Sequence, residues 1–186
     1  MSDKIRAFIA VDMPIEIQTT IRDLQQGLNI SGVKPVNPSL IHVTLKFLGE
    51  TPQKKIEKIC RVLDSIDVPR FEVHVKGVGV FPKLKNPRVV WVGLEDDSNL
   101  QQIVGMLEED LSKLGFERER KKFSSHLTIA RVKRAGKEEQ LMVADFVRNN
   151  SDFNAGTVLI NEVKLKKSVL TPQGPIYSDI HTKELK

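Results

Sequence analysis

The sequence has little of several features that mark particular classes of protein. It contains one cysteine, one tryptophan and one tyrosine in 186 residues, so an internal disulfide is excluded and aromatic surfaces for stacking are few. The apolar segment at residues 5–11 is too short for a secretory leader, and no apolar run approaches a bilayer span. We therefore expect a cytoplasmic protein without a membrane partner. Cys60 is predicted to be a buried, inert thiol on the apolar face of a helix.

The composition is otherwise that of an ordinary globular protein. Apolar residues make up 40% of the chain and charged residues 28%, which favours a folded chain over a disordered one. A length of 186 residues fits a single domain, residues 1–186, with room for a cleft. The net charge of +5 favours anionic partners only weakly.

The sequence contains an internal repeat of two units, and each unit has the predicted order strand, helix, strand, helix, strand. The predicted strands are 5–11, 41–47, 71–80, 89–92, 125–130 and 157–170. A constant offset of 84 residues (126 − 42) relates the two units. We predict an α+β, bilobal fold in which repeats at about 5–82 and 88–170 form two β-α-β-α-β lobes related by a pseudo-two-fold axis. Their antiparallel sheets should flank a central groove. Chance recurrence of this order, common in α+β proteins, is the alternative.

Local signals mark the predicted helix boundaries. Pro14 stands at a first helical position, and Thr51-Pro52 forms a cap and first turn. Ser98 with Gln101 forms a capping box, and Gly115 ends the helix that follows it. A weaker helix is predicted near residues 137–147. A turn at 171–175 should add a closing strand at 176–180.

Two His-x-Thr patterns occupy equivalent predicted strands. Residues two apart on a strand share a face, so His42 and Thr44 point one way while their neighbours point to the core. His126 and Thr128 repeat this arrangement, and we expect both pairs to line the groove. A lone histidine on a strand is more often structural than catalytic. Here two of the four histidines have a threonine two places on, in matching register, and chance explains that poorly.

Two imidazoles and two hydroxyls, with no carboxylate or cysteine in either motif, suit proton transfer better than metal binding or nucleophilic attack. Breaking a phosphodiester needs two proton transfers. A neutral histidine can take a proton from the attacking water, while a protonated one donates to the departing sugar oxygen. Threonine hydroxyls can hold the non-bridging oxygens. We predict no metal and no cofactor, and the residues alone leave open which histidine donates.

Basic residues cluster around the second motif. Arg131 is the strongest candidate for gripping a phosphate, because it extends the His126 strand and its guanidinium offers a fixed fork of donors. The whole cluster is Arg118, Arg120, Lys121, Lys122, Arg131, Lys133 and Arg134, and a merely solvated face is the alternative reading. Phe8, Phe47 and Tyr177 have rings that can stack on a base, although core packing is expected for the two phenylalanines. His74 and His181 lack the motif and are predicted to have structural roles.

These residues resemble the two-histidine phosphoesterase superfamily, and specifically its RNA 2′,3′-cyclic phosphodiesterase branch, historically called 2′-5′ RNA ligase or LigT. The resemblance covers nearly the whole chain. Beyond the two tetrads, His42-Val-Thr-Leu and His126-Leu-Thr-Ile, it rests on the segments 6–10, 45–49, 81–82, 87–93 and 130–131 and on an ending with Ser168, Leu170, Gly174 and Tyr177.

The resemblance implies metal-independent hydrolysis of a 2′,3′-cyclic phosphate, on RNA or a nucleotide, to a 2′-phosphomonoester. It also implies His42 as proton donor and His126 as proton acceptor. Thr44, Thr128 and Arg131 are predicted to bind the substrate from the residues alone. A monomer is expected. The alternatives are a ligase that joins RNA halves by the reverse reaction, a non-catalytic RNA-binding module of the same fold, and a metal site at the two histidines, for which neither tetrad offers a carboxylate.

Overall fold

The computed structural model describes residues 4–186. The strands are β1 (Lys4–Asp12), β2 (Val33–Pro35), β3 (His42–Pro52), β4 (Phe71–Lys83), β5 (Asn86–Glu95), β6 (His126–Val132), β7 (Asn154–Ile160), β8 (Glu162–Thr171) and β9 (Gly174–Glu184). The α-helices are α1 (Ile15–Gln25), α2 (Ile56–Asp64), α3 (Ser98–Lys113) and α4 (Lys137–Asn149), and short 3-10 helices lie at Gln26–Leu28, Pro38–Leu40 and Gln53–Lys55. Within this described range, no helix has the length and apolar character that crossing a membrane requires.

All the strands join one antiparallel sheet in the order β7-β4-β5-β6-β3-β1-β8-β9, with β2 paired to β6. The order is symmetric about β6 and β3, since three further strands lie outward of each. Those two strands share the register pair Val43 with Leu127, so the two predicted sheets are halves of one curled sheet joined at this seam. The predicted α+β fold with an antiparallel sheet is confirmed.

Each half of the sheet takes strands from both halves of the chain. β4 pairs with β5, and β8 pairs with β1, so the last strand of each predicted unit completes the other half of the sheet. This exchange ties the two halves of the chain into one body. The repeat boundaries 5–82 and 88–170 stay a prediction, which the symmetric strand order supports.

The helices cover one face of the sheet and leave the other open. α3 packs on β3, α4 on β4 and β5, and α2 on β8 and β9. Side chains that alternate toward the helices are buried, among them Val43 and Leu127 at 0% exposure. Because strand neighbours point to opposite faces, the motif residues beside them lie on the open face.

The predicted long strand at 157–170 is wrong, because it is two strands that separate at Asn161. β7 pairs with β4 at one end of the sheet, whereas β8 pairs with β1 and β9 at the other. The chain must therefore leave the first pairing before it enters the second. The Asn161 carbonyl instead accepts a hydrogen bond from the Leu185 amide at 2.8 Å.

Two predicted helix caps are also misplaced. Thr51 lies in β3, fully buried, and its hydroxyl donates to the Gly49 carbonyl at 3.1 Å, so α2 begins only at Ile56 after a 3-10 turn. Ser98 is the first residue of α3, and Asp97 takes the N-cap position. At Thr51 the strand continues past the predicted cap, whereas at Ser98 the helix is capped one residue earlier than predicted.

Other local predictions hold with small shifts. Pro14 precedes the first helical residue, and Gly115 ends α3 with a φ of 83°, the left-handed conformation that glycine adopts at low cost. Cys60 is half-buried rather than buried. Burial, with the Asp64 carboxylate nearby, raises the pKa of its thiol, which keeps it protonated and unreactive.

Candidate active site

The seam between β3 and β6 brings the two motifs together. The central residues of the motifs pair with each other, and in an antiparallel ladder the residues beside a pair also oppose each other. His42 therefore faces Thr128. In the same way Thr44 faces His126. Opposed Cβ atoms lie about 5 Å apart, so two imidazoles and two hydroxyls, all half-exposed, occupy one small area of the open face.

Both imidazoles are held in the same orientation. His42 Nδ1 lies 2.7 Å from the Leu40 carbonyl oxygen, and His126 Nδ1 lies 2.8 Å from the Ser124 carbonyl oxygen. A carbonyl can only accept, so Nδ1 carries the proton in each ring and Nε2 is left for chemistry. His42 Nε2 lies 3.0 Å from the Thr44 hydroxyl. Each Nε2 is thus a proton acceptor when its ring is neutral and a donor when it is charged.

A β-bulge follows each motif and changes which later residues share its face. The extra residue is Leu45 in β3 and Ile129 in β6. After the bulge the alternation resumes out of phase, so Phe47 and Arg131, five residues after the histidines, return to the open face. Phe47 is 70% exposed, which contradicts the predicted core role, whereas Phe8 is buried as expected.

Aromatic rings pack against both histidines. The His42 ring centroid lies 5.0 Å from that of Phe8 and 5.5 Å from that of Tyr177, the latter edge-on. His126 meets the ring of Phe81 at 5.0 Å and 87°. Burial raises the pKa of Tyr177, so its phenol stays protonated. Sequence reasoning missed Phe81 as a neighbour of the site, because the sheet order that brings β4 near β6 was unknown.

A charged network lies beside His42 and was also missed. Asp12 pairs with His42 in the register of β1 and β3. Its carboxylate accepts from Lys166 Nζ at 2.8 Å and from Lys164 Nζ at 3.2 Å. Lys166, 8% exposed, also donates to Asp179 at 2.7 Å. Asp12 is more than 150 positions from both lysines in sequence, so no local pattern points to them.

The electrostatics of His42 follow from these neighbours. Burial lowers the pKa of His42, while the Leu40 carbonyl and the Asp12 carboxylate raise it in part and the Lys166 charge lowers it. The net pKa is below the ordinary value, so the imidazole is mostly neutral at neutral pH. A bound phosphate, which is negatively charged, would raise it again.

Arg131 lies at the edge of this area and acts electrostatically on both His42 and Tyr177. β2, which the sequence did not predict, places Lys34 opposite Arg131, so a second cation stands beside the guanidinium. The other members of the predicted basic cluster are all exposed: Arg118, Arg120, Lys121, Lys122, Lys133 and Arg134.

The loop before His126 is held by hydrogen bonds to Lys46 of β3 and Glu108 of α3. Lys46 Nζ donates to Glu108 at 2.7 Å and to the Glu117 carbonyl at 2.7 Å. Glu108 in turn accepts from the Glu119 amide at 3.0 Å. Lys46 is 8% exposed, so a buried ion pair positions the loop that carries the basic residues Arg118, Arg120, Lys121 and Lys122.

The remaining histidines lie outside the groove. His74 Nδ1 is 2.9 Å from Asp96, and His181 Nε2 is 2.7 Å from Asp64, so both have the hydrogen-bonded structural roles that were predicted. Across residues 4–186, no group of three or more histidine, cysteine, aspartate or glutamate side chains is arranged to hold a metal ion.

The chain is similar to known proteins in both sequence and fold. The family model for LigT like Phosphoesterase matches the chain twice, at residues 11–91 and 92–177. An RNA 2′,3′-cyclic phosphodiesterase of Archaeoglobus fulgidus is 40% identical over 97% of this chain and 100% of its own length. One of Methanocaldococcus jannaschii is 35% identical over 95% and 98%. A crystal structure of a Thermus thermophilus protein superposes with a TM-score of 0.83 at 25% identity, covering 97% of each chain.

Proposed function

The chain belongs to the family of LigT-like phosphoesterases, and we propose that it opens 2′,3′-cyclic phosphates with His42 as proton donor and His126 as proton acceptor. It is an enzyme that hydrolyses RNA 2′,3′-cyclic phosphates, the activity for which its full-length relatives at 35% and 40% identity are named. The observation that carries the proposed mechanism is the pair of imidazoles on one face, each with Nδ1 donating to a backbone carbonyl. Nε2 is therefore the proton-transfer atom in both rings, and in His42 it lies beside the Thr44 hydroxyl.

The proposed reaction is a single in-line displacement at phosphorus. Neutral His126 takes a proton from water as the water oxygen bonds to phosphorus. The bond to the 3′ oxygen breaks, and His42 gives its proton to that oxygen, which leaves a 2′-phosphomonoester. Because burial lowers the pKa of His42, the negative charge of the bound substrate must raise that pKa and so protonate the donor.

The same register supports the proposed substrate-binding residues. Thr44 and Thr128 each lie opposite a histidine, where a hydroxyl can donate to a non-bridging oxygen as charge develops. Arg131 returns to this face through the bulge at Ile129 and offers paired donors to the phosphate. No step of this mechanism passes through a metal ion. The protein is proposed to act as a monomer in the cytoplasm, on RNA or on nucleotides that carry a cyclic phosphate.

A leaving-group experiment tests the two roles separately. In a substrate with sulfur in place of the bridging 3′ oxygen, the leaving group is a thiolate. A thiolate is far less basic than a sugar alkoxide and needs no proton from the enzyme. His42→Ala should lose most activity on the oxygen substrate and recover it on the sulfur substrate. His126→Ala should stay inactive on both, because the attacking water still needs a base.

The opposite pattern, recovery by His126→Ala alone, would exchange the two roles. Recovery by neither variant, with wild-type enzyme active on both substrates, would show that His42 is not a proton donor. Circular dichroism of each variant controls for folding.

A further inference from the structure

A pocket of about 450 Å³ is lined by two residues that flank His126, namely Ser125 before it in the chain and Gly93 opposite it in the ladder. Its walls are the end of the loop that leads into β6, the neighbouring strands β4 and β5, and the start of α3. Its lining includes Lys76, Trp91, Gly93, Glu95, Asp97 and Lys122. The proposed reaction does not use this pocket.

The pocket is in register with the catalytic area. Gly93 pairs with His126 on one side and with Lys76 on the other, so the three residues form a row across β6, β5 and β4 on one face. Neighbouring strands lie about 4.8 Å apart, which places the Lys76 backbone about 10 Å from that of His126. Gly93 has no side chain, so the Trp91 indole can extend over the position between the other two residues.

The floor of the pocket includes a tryptophan that glycines accommodate. A Cβ on Gly79 would lie 2.2 Å from Trp91 Cζ2, and one on Gly93 would lie 3.3 Å from Trp91 Cζ3. The indole therefore lies flat on the sheet over Gly79 and Gly93. Side chains at these two positions would block this placement. Its Nε1 is buried and has no hydrogen-bond partner among residues 4–186. Polar groups in that state are uncommon in native proteins.

The charged groups of the pocket are balanced rather than uniformly basic. Lys76 and Lys122 are cations on exposed side chains, and Lys76 Nζ makes only a long contact with Glu95, at 3.5 Å. Asp97 already accepts from two side chains. A simple anion would bind weakly here, because the carboxylates offset the attraction of the two lysines. A ligand that combines one phosphate, sugar hydroxyls and a flat apolar ring matches cations, a carboxylate and an aromatic floor together.

We propose that this pocket is a subsite for the nucleotide on the 5′ side of the cyclic end, so that the enzyme prefers an RNA chain to a cyclic mononucleotide. The inference rests on the proposed function. A nucleotide that ends in a 2′,3′-cyclic phosphate continues only through its 5′ oxygen, so any further unit lies on that side. Lys76 binds the connecting phosphate, and Trp91 supplies apolar surface for the base, as aromatic residues do in single-strand grooves.

The test compares a cyclic mononucleotide with a dinucleotide that has the same cyclic end. Wild-type kcat/KM should be about tenfold higher for the dinucleotide, in the range that stacking of one base contributes. In Lys76→Ala this preference should fall about fivefold, and the slope of log kcat/KM against log salt for the dinucleotide should become shallower by about 0.7, the loss expected for one phosphate contact. Lys58→Ala, the same change at an exposed lysine of α2 on the helix face, should keep the wild-type preference.

Calorimetric binding of the two products, a nucleoside 2′-phosphate and the dinucleotide that ends in it, separates this inference from the proposed function. Tighter dinucleotide binding that Lys76→Ala weakens supports the subsite even if wild-type enzyme fails to hydrolyse the cyclic substrates, in which case the proposed function alone is wrong. Equal rates and equal binding for the two lengths, or equal losses on both in Lys76→Ala, would overturn the subsite while leaving the hydrolysis intact.

Discussion

At the scale of single residues, the site depends on the fixed orientation of its two imidazoles. Nδ1 of each histidine is fixed by the carbonyl two residues earlier, Leu40 or Ser124, and these two carbonyls are themselves 84 positions apart (124 − 40). The two rings differ in what stands beside them. His42 has the Asp12 carboxylate across the ladder, whereas His126 has Gly93. This asymmetry provides a physical basis for unequal proton duties in a symmetric frame.

Burial of His42 predicts a pH dependence of stability. Its folded-state pKa lies below the value of about 6.5 for an unfolded histidine, so the unfolded chain binds this proton more readily. Stability should therefore be lost as the pH falls below about 6.5. Urea unfolding between pH about 7.5 and about 5.5 should show a larger loss for wild type than for His42→Gln, which keeps a polar side chain without titrating. Equal losses in the two proteins would contradict the assignment.

At the scale of strands, the two bulges decide which side chains reach the groove. In β6 the bulge at Ile129 leaves a carbonyl outside the ladder. That oxygen accepts from the Val36 amide and from Gln25 Nε2, each at 2.8 Å. Gln25 also donates to the Val36 carbonyl at 2.8 Å. A buried glutamine of α1 thus stabilises the bulge that returns Arg131 to the open face.

Gln25→Leu should therefore cost about 1–3 kcal/mol of unfolding free energy, because it removes a buried hydrogen bond to the Ile129 carbonyl at the bulge and leaves the part-buried Val36 carbonyl without this partner. Gln18→Leu on the same helix is a matched control. Gln18 donates to the Met13 carbonyl in a less buried place, so its loss should cost less. Chemical denaturation measures both, and a smaller cost at Gln25 than at Gln18 would refute this role.

The sequence predicted the order of the main strands and helices and both histidine motifs, since periodicity and spacing are local properties. It missed β2, a three-residue strand with no alternation of its own. It missed the break at Asn161, because only the sheet order separates β7 from β8. It missed Asp12 and Lys166 as neighbours of His42 for the same reason. Phe47 was expected in the core because it is an aromatic residue in a predicted strand. Its exposure results from the bulge at Leu45, which the residue types alone do not predict.

At the scale of the whole molecule, strand exchange and one buried ion pair join the two halves. Lys46 of β3 reaches through to Glu108 of α3 and to the loop that enters β6. Removal of one charge leaves the other buried and unpaired, which typically costs about 3–5 kcal/mol. Lys46→Met should show a loss of this order in urea unfolding.

Lys46→Met with Glu108→Leu in one chain should be more stable than the sum of the two single losses, because neither charge is then left alone. Additive losses in this double-mutant cycle would mean that the pair does not couple the two halves.

The proposed mechanism requires two histidines and no metal to open a cyclic phosphate. The most direct measurement follows an RNA oligonucleotide with a 2′,3′-cyclic phosphate end by phosphorus NMR, with purified protein in excess chelator. Wild type should convert this end to a 2′-phosphomonoester, and His42→Ala and His126→Ala should each show almost no conversion. A 3′-phosphate product, full activity in either variant, or activity only after a divalent metal is returned would contradict it.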